Sequence, residues 1–166
     1  MNHLVHLARR FFGALDPRGP SPEDEAWVAG TLSAGEQALW ERMSGPDRRH
    51  AVGVARDVVE RLGGEDATPP VVAAALLHDV GKIDAGLGTL ARVPATLVGL
   101  VARERVASGT GRVARYLRHD AIGADLLTAA GADPLTVAWA REHHLPPDRW
   151  TLPPAVAHAL KAADDD

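Results

Sequence analysis

The chain has 166 residues, 46% of them hydrophobic but only 4% aromatic, with a formal net charge of -4 at pH 7 and no cysteine. That length suits one domain with a real core, and the negative charge argues against nucleic-acid binding as the main activity. The missing cysteines exclude disulfides, thiolate metal sites and cysteine nucleophiles. A core of Ala, Val and Leu is a helical vocabulary, so an all-α fold is expected. Arg9 and Arg10 follow the N-terminal apolar residues instead of preceding them, unlike a signal peptide. The apolar runs are too short to cross a bilayer, so a soluble, cytoplasmic domain with no membrane partner is expected.

In chain order, residues 2–15 predict a short amphipathic helix with Leu4, Leu7, Phe11 and Ala14 on one face; His3 and His6 read as solvated. A loop at residues 16–20 follows. Ser21, Pro22 and the acids Glu23, Asp24 and Glu25 then predict a capped helix start. Ser33 with Glu36 predicts a capping box before Leu39 and Trp40. Gly45-Pro46-Asp47 opens a third helix, whose stripe Val54, Val58, Leu62 includes His50 one turn earlier. Arg48 and Arg49 read equally well as solvated charges or as contacts to an anionic substrate.

Residues 71–82, VVAAALLHDVGK, start as a buried apolar helix and then deliver His78 and Asp79 side by side. Burying a carboxylate is costly without a cation or hydrogen bonds, and a metal ion would compensate both residues. Lys82, three residues on, can approach the same place. Residues 83–92 read as a loop bringing Thr89 and Arg92 toward it; Gly86 and Gly88 there are too weak a signal for a phosphate loop.

Residues 93–106 predict a core helix, and residues 116–130 a helix containing His119. Another helix ends at His143-His144, stopped by Pro146 and Pro147. In the last helix Ala157, Leu160 and Asp164 share a face, with Lys161 and Asp165 a surface pair. His158 falls off the stripe. A helical bundle can project His50, His78, Asp79, His119, His143 and Asp164 into one cavity. These ligand types suit manganese, iron, cobalt, nickel or zinc better than magnesium.

The order of these pieces resembles the HD-domain superfamily of metal-dependent phosphohydrolases. The matching residues are Arg49-His50, the run from Leu76 and Leu77 through His78-Asp79-Val80-Gly81-Lys82, Leu117-Arg118-His119, Glu142-His143-His144 and Ala163-Asp164. The resemblance implies an HD-domain-like helical bundle in which residues 1–45 pack as N-terminal helices on a metal-binding domain of residues 46–166. It implies one metal held by His50, His78, Asp79 and Asp164. In relatives with two metals, His119 and His143 hold the second and Asp79 bridges. One or two divalent transition-metal ions are therefore the expected cofactors. His143 is preferred over His144 because it takes first place in the pair; His144 stays open as ligand, acid or supporting residue.

The chemistry implied is metal-assisted hydrolysis of a phosphate ester or anhydride of a small molecule, a nucleotide first of all. Asp79 and Lys82 are the catalytic candidates, and Arg49, Arg92, Arg118 and His144 the candidate substrate contacts. Leu145-Pro146-Pro147 stands where relatives that degrade cyclic di-nucleotides have Gly-Tyr-Pro, which argues against that substrate. No synthetase-type extension like that of the alarmone enzymes is evident, so the pattern is closest to the small stand-alone members. Two alternatives share the ligand set: a di-iron oxygenase of HD type, and a non-catalytic nucleotide-binding regulatory module. The sequence sets no oligomeric state.

Overall fold

The computed structural model describes residues 17–86 and 106–165. Among them the regular elements are helices: α1 Pro22–Thr31, α2 Ala34–Trp40, α3 Gly45–Leu62, α4 Pro69–Leu77, α5 Lys82–Ala85, α6 Arg112–Leu117, α7 His119–Ala129, α8 Pro134–Glu142 and α9 Pro154–Asp165, with a 3-10 turn at Pro147–Arg149. The all-α expectation holds. The expected helix at residues 2–15, all but the last residue of that at 93–106, and Arg92 itself lie outside the described residues.

The helix starts follow their local chemistry. Ser21 accepts from the Asp24 amide and Ser44 from the Asp47 amide. Ser33 and Glu36 form the reciprocal capping box, and Asp133 accepts from the Leu135 amide. Each cap satisfies an amide that the helix leaves unpaired.

The centre of the bundle is α4. Every residue from Val71 to Leu77 is buried, which is why this helix is apolar all round and not amphipathic. It packs against α1, α3 and α8, while α9 lies on α3, and α7 on α8. Thr136, fully buried on α8, donates its hydroxyl to the Pro70 carbonyl (3.1 Å) and ties α8 to the start of α4. On the far side of α3, Arg48 pairs with Glu25 (2.9 Å) and Arg56 with Asp24 (3.0 Å). The Arg56 guanidinium also lies 4.0 Å from the Trp27 ring centre. Trp40 is fully buried and donates to Glu25 (2.9 Å).

Two expectations change. Residues 83–85, read as part of a loop, belong with Lys82 to the one-turn helix α5, closed by Gly86 at φ 56, a left-handed position that glycine adopts freely. The helix expected over residues 116–130 is two helices, broken at Arg118 (φ -110, ψ 17). There the Arg118 amide bonds to the Arg115 carbonyl (3.1 Å), tightening α6 into a last 3-10-like turn before the chain restarts. The break makes His119 the first residue of α7.

Candidate metal centre

Three histidines of the centre share one local device. His78 and His143 cap the C-termini of α4 and α8, and His119 follows α6 by one residue. A helix leaves its last carbonyls without amide donors. In each case Nδ1 takes such a carbonyl three residues back: Ala75 for His78 (2.9 Å), Tyr116 for His119 (2.8 Å) and Ala140 for His143 (3.0 Å). A carbonyl only accepts, so the proton sits on Nδ1 and Nε2 is the atom turned toward the centre.

The Nε2 atoms converge on two carboxylates. The Asp79 oxygens face different groups. Oδ2 lies 3.4 Å from His78 Nε2 and receives the Lys82 ammonium, while Oδ1 lies 3.2 Å from His119 Nε2 and 3.8 Å from His143 Nε2. Asp164 Oδ1, arriving from α9, is 3.4 Å from His50 Nε2 and 3.5 Å from His78 Nε2. His144 Nε2 meets His119 Nε2 at 3.1 Å. All of these groups are buried except His50 and Lys82, which are half-buried, and His144, which is exposed.

A close backbone contact sets this geometry. A Cβ on Gly81 would lie 1.9 Å from the His119 carbonyl oxygen and 2.6 Å from the Gly123 amide nitrogen. Only a glycine lets the turn after His78-Asp79 touch the first turn of α7. That contact brings Asp79 beside His119.

The donors suit a divalent metal ion. The Nε2 atom of His143 is buried without a hydrogen-bond partner, and that of His78 is buried with only carboxylate oxygens beside it at 3.4 and 3.5 Å. A buried lone pair such as that of His143 costs stability unless something takes it. Imidazole nitrogens with carboxylate oxygens form a donor set for first-row transition metals. Two groups have their ligand atoms close enough to share an ion: His50, His78 and Asp79, and His119, His143 and His144.

The charges in the metal-free protein are tightly coupled. Burial disfavours a charged His78, but the Asp79 and Asp164 carboxylates outweigh it and push its pKa up to about 10. Burial likewise works against the Asp164 carboxylate, yet hydrogen bonds from His50 and His78 hold its pKa well below the usual range. Asp79 is held down in the same way, with Lys82 and His78 overcoming burial. His143 moves opposite to His78: burial, then the charge of His78, drive its pKa well below the ordinary value and keep it neutral. Partial burial of its ring, then the charge of His119, lower the His144 pKa to about 4. A metal held at His78 Nε2 would therefore have to displace a proton, whereas at His143 Nε2 it would find the lone pair ready.

Among the other candidates, Arg49 donates to the Arg18 carbonyl and Arg118 to the Gly109 carbonyl (3.2 Å). Arg48 is held by Glu25. Lys82 turns inward to Asp79, whereas Asp84, two residues on, lies 3.6 Å from Arg115. His158 is exposed, with its ring edge-on to Trp150. Two residues near the centre escaped the sequence reading. Asp47 and Tyr116 both favour the charged form of Lys82 behind the larger effect of Asp79, against the pull of burial. The Tyr116 ring stacks on His119 with centres 5.8 Å apart. Spacing gave a hint of each: Asp47 stands three residues before His50 and Tyr116 three before His119, one helical turn in either case.

The fold and the centre together define a helical bundle with a buried histidine–aspartate donor cluster. The sequence model of the HD domain matches residues 49–165, and the chain belongs to the HD-domain family, whose members are in general metal-dependent phosphohydrolases. No curated protein and no solved structure matches the chain. Among the described residues no helix is long and apolar enough to cross a membrane.

Proposed function

We propose that this protein hydrolyses a phosphoester or phosphoanhydride bond of a small molecule, a nucleotide first of all, at a binuclear metal site. His50, His78, Asp79 and Asp164 would hold one ion and His119 and His143 the other, with Asp79 shared. What supports this most directly is the division of Asp79, one oxygen toward His78 and the other toward His119 and His143. Bound divalent ions supply a water of lowered pKa and neutralise phosphoryl oxygens.

The protein's own groups do the rest. Asp79 and Asp164 stay ionised to balance the positive charge. The Nδ1 contacts keep the three imidazoles aimed before substrate arrives, so little reorganisation is needed. Lys82, held charged beside Asp79, is placed to take up charge that builds on the phosphoryl group as the leaving oxygen departs. His144, at the exposed edge of the centre, is a candidate substrate contact.

The test is phosphate release from a panel of nucleotides and simple phosphoesters by the manganese-loaded protein, run aerobically and anaerobically. Turnover of at least one panel member, unchanged without oxygen, is expected. No turnover across the panel would contradict the proposal. Oxygen uptake dependent on substrate and iron would move the protein to the oxygenase class.

A further inference from the structure

We propose that Glu142 and Thr151 form a positioning clamp that aims the His143 and His144 imidazoles. The clamp sets metal affinity at the His119, His143 and His144 group without setting it at His50, His78 and Asp164. The inference rests on the metal reading above and adds a residue pair outside the ligand set.

Glu142 is a buried carboxylate at the last position of α8, immediately before the histidine pair. The C-terminus of a helix carries partial negative charge, so an acid there is disfavoured unless other contacts hold it. Its partners are both on Thr151: the amide donates to Oε2 at 2.7 Å and the hydroxyl to Oε1 at 2.7 Å. The chain between them turns back under α8. The Leu145 amide bonds to the Glu142 carbonyl (2.7 Å), and Trp150 donates its indole N–H to the Leu145 carbonyl (3.0 Å). The Trp150 ring meets Trp139 edge-on, with centres 5.7 Å apart.

Pro146 and Pro147 lack amide protons, and their carbonyls accept from the Arg149 amide (2.9 Å) and the Trp150 amide (3.4 Å). The turn's own backbone bonds thus lie within it and, among the described residues, none ties it back to the body of α8. The carboxylate of Glu142 closes the turn from the helix side. His143 and His144 lie between the helix end and that closure, with ring centres 3.9 Å apart. Their direction is therefore set jointly by α8 and by the clamp. His50, His78 and Asp164 come from α3, α4 and α9 and have no part in the turn.

Manganese affinities of the full-length protein, measured by chelator competition, test the clamp, with circular dichroism and thermal unfolding as controls. Glu142→Ala is expected to weaken one of two bound ions by roughly 10–100-fold, the usual effect of removing a group that orients a ligand, and to leave the other tight. Glu142→Gln, which keeps the shape and an acceptor, restores most of the affinity. Thr151→Val weakens the same ion and Thr151→Ser restores it. A purely structural role would weaken both ions together or neither, and either result overturns the clamp. His143→Ala separates the two failures. If it loses an ion that Glu142→Ala retains, the clamp alone is wrong. If it changes neither affinity, the second metal group is wrong and the clamp falls with it.

Discussion

Asp79→Ala will lose phosphohydrolase activity by on the order of a thousandfold or more in kcat/KM. The transition-state stabilisation supplied by a metal site is several kcal/mol, and each ~1.4 kcal/mol is tenfold in rate. Asp79 lies within 4 Å of four charged or imidazole groups of the centre, those of His78, Lys82, His119 and His143. Its loss also leaves Lys82 beside an uncharged methyl. Breaking a buried ion pair costs about 3–5 kcal/mol, and the Lys82 side chain keeps 18% of its surface exposed, so the lower end applies. Thermal unfolding in chelator measures that part. Asp79→Asn separates charge from packing, since it keeps the volume and should be as inactive as the alanine variant. Substantial activity in either variant would remove Asp79 from the chemistry.

Gly81→Ala will damage the centre without touching a ligand. The added methyl would lie 1.9 Å from one backbone oxygen and 2.6 Å from a backbone nitrogen, so no flexible side chain can yield. The turn and α7 must separate, which draws Asp79 away from His119. Overpacking of this kind costs about 1–3 kcal/mol or more, equivalent to roughly 2–4 °C in Tm per kcal/mol for a chain of this size. Metal affinity at the His119 group should fall with it. Gly53→Ala is the matched control, because Gly53 sits in mid-helix in α3 with nothing within 4 Å of an added Cβ. That change should stabilise the protein by about 0.5–1 kcal/mol. Equal behaviour of the two variants would show that the close contact at Gly81 has no structural weight.

Much of this architecture was legible in the residues. The Ser21 and Ser33 caps, the inward Asp164 on the line of Ala157 and Leu160, and the apolar run before His78 all follow from helical spacing, and each stands where spacing put it. Spacing assigns a residue to a face but does not say which distant helix that face meets. The Gly81 contact with His119 and Gly123, the Glu142–Thr151 bonds and the capture of Arg48 by Glu25 are all such meetings. The break at Arg118 was hidden for a different reason: no proline or glycine marks it, and residues 116–130 read as one continuous helical pattern. Lys82 was ambiguous because Asp79 and Asp84 are both within local reach, and only burial at the centre favours Asp79.

The metal content of protein purified without chelators, measured by elemental analysis beside His119→Ala, tests the binuclear centre most directly. Two divalent ions per chain in the parent protein and one in the variant are expected. One ion in both would contradict the shared role of Asp79 and leave His119 and His143 outside the metal site.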